Sequence, residues 1–355
     1  MKRFLTLALT FAMCLTLVSC SGTTTSESPA STGTASAAEA DDTVYELKLA
    51  HIYAADHPFN VGLNQIAQEI SDQTDGHVNI TVYPAAQLGA ETDEINNILS
   101  GSIDIAVLGI GEVGKYVTDF NVYEAPYVFS SCDQAMRAVN SDVMAPYYEQ
   151  IKENYKNGFS ILTSMYYGVR DLTCNFPVDS PDDTAGMKIR VPDHTIPSYI
   201  AKYVFKANAT PMSLSEVYLA LQQGVVDGQE NPLPAIDAAS VQEVQPYCSM
   251  WDAIYDCLFF CINQDIYDGL TPEQQAVVDE CGQKAVEYER YINRSSDNEI
   301  KERWESKNGV TFTEKADMDI DSFKKAVDGV DDWFVNELKS QGYEDGQDLV
   351  DLFTK

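Results

Sequence analysis

The sequence is poor in positive charge. Only 23 Lys and Arg stand against 55 Asp and Glu, a formal net charge of −32. A surface of that sign repels nucleic-acid phosphates and anionic membranes, so nucleic-acid binding is set aside. The acidity itself reads as a solubility feature. Histidine is scarce, with four in 355 residues. No H-E-x-x-H or other tight ligand cluster occurs, which argues against a catalytic zinc and leaves no metal assigned. There is no G-x-S-x-G nucleophile turn, no C-x-x-C and no repeat of 20–50 residues. Beyond the first 19 residues no apolar run is long enough to span a bilayer.

What is present begins with a targeting segment. Lys2 and Arg3 precede an apolar run over residues 4–18, too short for a comfortable span and suited to a signal peptide over residues 1–19. It ends in LVSC, which resembles the bacterial lipobox, with Cys20 as the lipid-modified residue. Residues 20–42 are rich in Ser, Thr, Ala and Gly and read as a tether, since that composition buries no core. The expected location is extracytoplasmic, held to the cell membrane by the lipid anchor only. Six cysteines remain: Cys132, Cys174, Cys248, Cys257, Cys261 and Cys281. An even number permits disulfides, and buried free thiols are equally open.

The rest is long enough for two lobes and 45% hydrophobic. VYELKLAHI at 44–52 alternates as a strand. Asp56 is a candidate helix cap with Pro58 in the first turn, and Phe59, Leu63, Ile66 and Ile70 follow at helical spacing. HVNITVYP at 77–84, a helix over about 91–99 and IDIAVLG at 103–109 complete a β-α-β-α-β run, so an α/β fold with a parallel component is expected. Residues 132–155 read as helical and 158–168 as a strand. MKIRVP contributes a short strand, and residues 197–206 a helix. Ser213 and Glu216 form a capping box for a helix ending at Gly224. VVDGQENP then leads to a helix near 234–240. Thr271 with Gln274 caps a long helix reaching about residue 306.

Several residues carry candidate chemistry. GIGEVG at 109–114 matches G-x-G-x-x-G, but it follows the third strand. Gly109 is better read as a strand end lining a cleft. His51 and His57 bracket the loop YAADHP, which begins at Tyr53 and lies where open α/β sheets place ligands. Most carboxylates fall on helix surfaces and read as solvated. Arg170 and Arg190 lie at the end of, or inside, apolar strands. A guanidinium there needs an anion. Either a ligand carboxylate or a structural Asp or Glu satisfies that need, and physics alone leaves both open.

AGMKIRVP, ANATPMSLSEVYLALQQGVVDGQENPL at 207–233, DGHVNITVYPAAQLGAETDEINNILSGSIDIAVLG at 75–109 and LTPEQQAVVDECGQKAVEYER at 270–290 occur in that order. Together they closely resemble the TRAP (tripartite ATP-independent periplasmic) transporter solute-binding proteins of the dicarboxylate-binding, DctP type. The resemblance covers nearly all of residues 44–350. It implies a two-lobed periplasmic-binding-protein-like α/β fold: mixed sheets, helices on both faces and a long helix spanning both lobes. Residues 43–166 with 256–296 would form one lobe, and 167–255 with 297–355 the other. It implies a carrier rather than an enzyme, without cofactor, that captures a small organic acid between the lobes and delivers it to TRAP membrane subunits. Presentation of the ligand to a signalling receptor is the alternative. By the resemblance Arg190 binds the carboxylate, Arg170 is the second arginine, Asn231 hydrogen-bonds the ligand, and Leu214 occupies a position often aromatic in relatives. Trp251, where relatives often carry a nearby His, either stacks on ligand or packs in the core. The Glu that sialic-acid binders place in the segment matching residues 108–110 is missing here. The choice among C4-dicarboxylates, uronates and keto acids stays open.

Overall fold

The computed structural model describes residues 43–141, 144–154 and 158–327. The signal segment, Cys20, the tether and the end of the second expected lobe, residues 328–355, lie outside them. Strand β1 (Tyr45–Ala50), helix α1 (Pro58–Gln73), β2 (Val78–Tyr83), α2 (Glu91–Ser100) and β3 (Ile105–Gly109) form the expected alternation. β1 pairs in parallel with both β2 and β3. The α1 stripe of Phe59, Leu63, Ile66 and Ile70 is buried as its spacing required. Its cap is His57 rather than Asp56: His57 Nδ1 accepts from the Phe59 N–H at 3.1 Å. Pro58 is the first helical residue, where its missing N–H costs nothing, and that leaves His57 in the capping position.

GIGEVG becomes the end of β3 and the short helix α3 (Ile110–Gly114), followed by a 3-10 turn at Thr118–Glu124. The stretch read as helical holds two helices, α4 (Cys132–Val139) and α5 (Ala145–Asn154). Asn140 caps the first, and Pro146 belongs to the first turn of the second. Then come β4 (Phe159–Cys174), β5 (Lys188–Val191), α6 (Thr195–Tyr199) running into a π turn, β6 (Asn208–Pro211), α7 (Val217–Gln222), β7 (Gly228–Pro232), α8 (Leu233–Ala238), β8 (Tyr247–Asn263), α9 (Gln264–Gly269), α10 (Pro272–Arg303) and β9 (Thr311–Thr313). Both capping boxes form. Ser213 N donates to Glu216 at 3.1 Å, and Thr271 exchanges hydrogen bonds with Gln274.

The nine strands of the described residues share one mixed sheet, in the path β2-β1-β3-β8-β4-β7-β5-β6, with β9 beside β8. Its spine is the long antiparallel pair β4 and β8. β3 joins β8 over residues 258–262, and β7 joins β4 over residues 170–174, at the other end. The sheet therefore has two wings, one of β1–β3 and one of β5–β7. Alternation along the spine feeds cores on both faces. Leu258, Phe260 and Ile262 pack with α1 and with Val278 and Cys281 of α10. Cys257, Phe259 and Cys261 pack with α2 to α5. Each such aromatic contributes roughly 1.5–3 kcal/mol on burial. β4 approaches β7 so closely at Gly168, φ +140°, that any side chain there would strike Pro232.

Helix α10, about 48 Å long, bridges the wings. Val278 and Cys281 belong to the core around α1, while Ile300 and the following Trp304 belong to a core with α7 and α8. No helix among the described residues is long and apolar enough to cross a membrane. The six described cysteines are free thiols.

Candidate functional site

Arg190 lies in the middle of β5. Ile189 and Val191 turn into the core, and alternation sends Arg190 to the opposite side. It is only 3% exposed. Its Nε and Nη2 donate to the Met212 carbonyl at 3.1 and 2.8 Å. Among the described residues it forms no ion pair. Burial, with the nearby charge of Arg170, pulls its pKa from 12.5 to about 10, against the pull of Glu230 and Glu91.

Arg190 borders a cleft of about 390 Å³ between the two wings. That volume lies in the range of small-ligand sites. The β5–β6 side supplies Arg190, Asp193, Ser213, Leu214 and Ser215. The β1–β3 side supplies Glu91, Thr92, Asp93 and Glu112. Glu91 opens α2, and its carboxylate accepts from the Gly109 N–H. Burial and then the Glu112 charge raise Glu91 to about 7, opposed by that hydrogen bond and by His194. Glu112 pairs with Lys115 at 2.9 Å and accepts from Thr92. A molecule held here meets one cationic fork on one side, and carboxylates and hydroxyls on the other.

The expected residues divide around this cleft. Arg190 and Leu214 line it. Gly109 sits behind Glu91, which any side chain at Gly109 would strike. Arg170 is as buried as Arg190 but fully engaged. Its Nε and Nη2 hold the two oxygens of Glu230 at 2.5 and 2.7 Å, and Nη1 holds Asp256 at 2.6 Å. Asn231 accepts from Arg170 at 3.2 Å and donates to Gln229 at 2.8 Å. Tyr53 stacks among His57, Phe59 and Tyr167 and lines a smaller pocket of about 190 Å³, which Leu214 shares. His57 faces a separate cavity with Asp237 and Arg303. Burial lowers His51 to about 4 and His57 to about 3, so both are neutral at ordinary pH. Of the two expected roles of Trp251, ligand stacking gives way to core packing. It belongs to the core, 0% exposed, with ring centroids 4.8 Å from Phe205 and 6.0 Å from Phe323. A bulge in β8 opposite Arg170–Leu172, where Asp252 has φ +46°, turns the ring inward.

Glu91, Glu112 and His194 were not singled out as site residues from sequence. Glu91 carried one usable signal, its place at the start of a helix after a parallel strand. Among the described residues no group of three or more His, Cys, Asp or Glu is arranged to hold a metal ion.

Known proteins share this architecture. A solute-binding protein of Roseobacter denitrificans is 31% identical over 271 residues, 76% of this chain and 81% of its own. The sialic acid-binding periplasmic protein SiaP of Vibrio cholerae is 29% identical over 74% of this chain and 79% of its own. The crystal structure of a TRAP periplasmic solute binding protein from a Sulfitobacter species, with bound beta-D-galacturonate, superposes with a TM-score of 0.79 at 27% identity, over 87% of this chain and 99% of that one. The profile of the bacterial extracellular solute-binding proteins, family 7 (DctP), matches residues 49–337. The chain belongs to that family, the TRAP solute-binding proteins, and is therefore a solute-binding protein rather than an enzyme.

Proposed function

We propose that this protein captures a hydroxylated monocarboxylic acid of the uronate or aldonate type and delivers it to TRAP membrane subunits, while tethered outside the cell by lipid on Cys20. The two wings act as lobes, residues 43–166 with 256–296 and residues 167–255 with 297–355, closing on the ligand. The observation that carries the reading is Arg190, buried at the cleft with a lone carbonyl as its partner among the described residues. A ligand carboxylate completes its fork bidentately. Arg170, whose charge reaches Arg190, and Asn231 would be the further ligand contacts of this reading. The opposite side selects the rest of the ligand. Asp93, with the ionised fraction of Glu91, would repel a second carboxylate, and Glu91 and Glu112 would accept hydrogen bonds from hydroxyls, while Ser213, Ser215 and Thr92 serve either role. A C4-dicarboxylate is disfavoured on that ground, and the Sulfitobacter relative's galacturonate fits the pattern.

Titration calorimetry of residues 43–355 with D-galacturonate, D-glucuronate, succinate, L-malate and D-galactose tests this. The sugar acids should bind, and galactose should fail for want of a carboxylate. Tight binding of succinate or malate with no binding of any sugar acid would refute the hydroxylated-acid reading.

A further inference from the structure

His194 follows β5 on the Arg190 wing, while Glu124 ends the 3-10 turn of the β3 wing. They meet across the gap. His194 Nδ1 faces Glu124 Oε2 at 3.2 Å, with the side chains 7% and 4% exposed. The two atoms are close but not aligned as a hydrogen bond, and the contact is an ion pair when His194 is protonated. The imidazole lies directly against Gly111 of α3. A single added carbon at Gly111 would collide with both the ring and the Glu124 carboxylate. Only glycine leaves room for the ring in this seat.

We propose that His194, Glu124 and Gly111 form an interlobe latch that holds the cleft shut over its ligand. The proposal rests on the lobe-closure reading above. In an open cleft His194 would face water and titrate near 6.5. In the shut form burial opposes its charge. The Glu124 carboxylate outweighs that, with Glu112 and Glu91 behind it, and the pKa is raised. Glu124 comes from the 3-10 turn, Glu112 from α3 and Glu91 from α2, and Lys115 already neutralises Glu112. On its own segment Asp193 is adjacent in sequence. Because the shut form binds the proton more tightly, closure and ligand affinity are favoured at low pH. That advantage disappears as pH rises through the shut-form pKa of His194.

The test measures D-galacturonate affinity from about pH 5.5 to 8.5 for the wild type and four variants: His194→Gln, Glu124→Gln, Gly111→Ala, and the double variant Gly111→Ala with His194→Ala. Wild-type affinity should fall as pH rises. His194→Gln should be flatter, keeping only the slope that Glu91 contributes. Gly111→Ala should weaken binding about tenfold or more by propping the seat open, a loss of the size of one charge-assisted contact. Removing the ring in the double variant should recover affinity relative to Gly111→Ala. A merely structural role for His194 predicts the reverse, a double variant worse than either single one. The latch is overturned if His194→Gln follows the wild-type pH profile, or if the double variant is no better than Gly111→Ala. If galacturonate does not bind the wild type, the ligand reading fails by itself. The latch is then judged on the complex with whichever acid of the panel does bind, by NMR titration of the four imidazoles. In that complex His194 must titrate at higher pH in the wild type than in Glu124→Gln, and equal midpoints overturn the latch.

Discussion

Replacing Arg190 with Met should abolish ligand binding while leaving the ligand-free protein as stable as before, or more so. Met keeps most of the aliphatic stem and removes the charge. Arg190 has no ion-paired carboxylate to strand, and the substitution leaves only the Met212 carbonyl without its donor. The drop in the Arg190 pKa from 12.5 to about 10 reflects what the folded protein spends to hold the charge. At about 1.4 kcal/mol per pH unit, that is about 3.5 kcal/mol. The loss of two hydrogen bonds, about 1 kcal/mol each, offsets most of it. The ligand-free variant should therefore unfold within about 1–2 kcal/mol of wild type. Binding loses far more: truncating one partner of a buried charge pair costs about 2–5 kcal/mol, roughly 30-fold to several thousandfold in affinity. Calorimetry reads the affinity. Thermal unfolding without and with sugar acid reads both quantities, since ligand at 100 times its dissociation constant stabilises by about 2.7 kcal/mol. A Met variant that binds within threefold of wild type would refute the carboxylate clamp. One that is grossly unfolded without ligand would show that Arg190 is a framework residue.

Arg170→Met should do the opposite and destabilise the ligand-free protein by about 3–5 kcal/mol, because Glu230 and Asp256 lose their common cation; chemical denaturation reads this directly. Trp251→Ala should cost about 3–5 kcal/mol of stability yet leave sugar-acid affinity unchanged at a temperature where it is folded; a selective loss of affinity would return Trp251 to the site. Glu94 is 0% exposed, both its carboxylate oxygens lack partners, and burial raises it to about 9. Its folded pKa lies above the unfolded one, so its contribution to stability is fully present below about 4.5 and falls as pH rises toward 9. Glu94→Gln should accordingly stabilise by about 3 kcal/mol at pH 7 and flatten the decline of melting temperature between pH 5 and 8. An unchanged profile would exclude Glu94 as the group responsible.

Much of the fold could be read from local rules, and the failures have local reasons. The α1 stripe and the two capping boxes each satisfy themselves within a few residues, so sequence specifies them. β8 is buried on both faces along most of its 17 residues, which erases the alternation that marks a half-exposed strand. Arg190 was conspicuous as a charge inside an apolar strand. Glu91, Glu112 and Glu124 were not, because in a chain of 55 acidic residues each reads as solvated. Glu112 and Glu124 are buried and Glu91 half-buried because α2, α3 and the 3-10 turn converge, a tertiary event with no local sign. Trp251 was ambiguous until the β8 bulge settled where its ring points.

The two arginines show why residue type and burial alone could not assign the site. Both sit in strands and both are about 95% or more buried, yet their acidities move in opposite directions. Burial works against the charge in each case. At Arg170 the carboxylates of Glu230 and Asp256 overcome it and hold the pKa well above the ordinary value. At Arg190 nothing does, and the pKa falls. The difference lies in the neighbouring strands. β4 pairs with β7, which presents Glu230 to Arg170. β5 is flanked by β6 and, on its other side, by the same β7, which sets Gln229 rather than Glu230 in register with Arg190; among the described residues the guanidinium donates only to the Met212 carbonyl. A carboxylate entering the cleft would do for Arg190 what Glu230 does for Arg170. The folded chain holds one guanidinium pair complete and the other half-built, and in the proposed function a ligand acid would be the group that completes it.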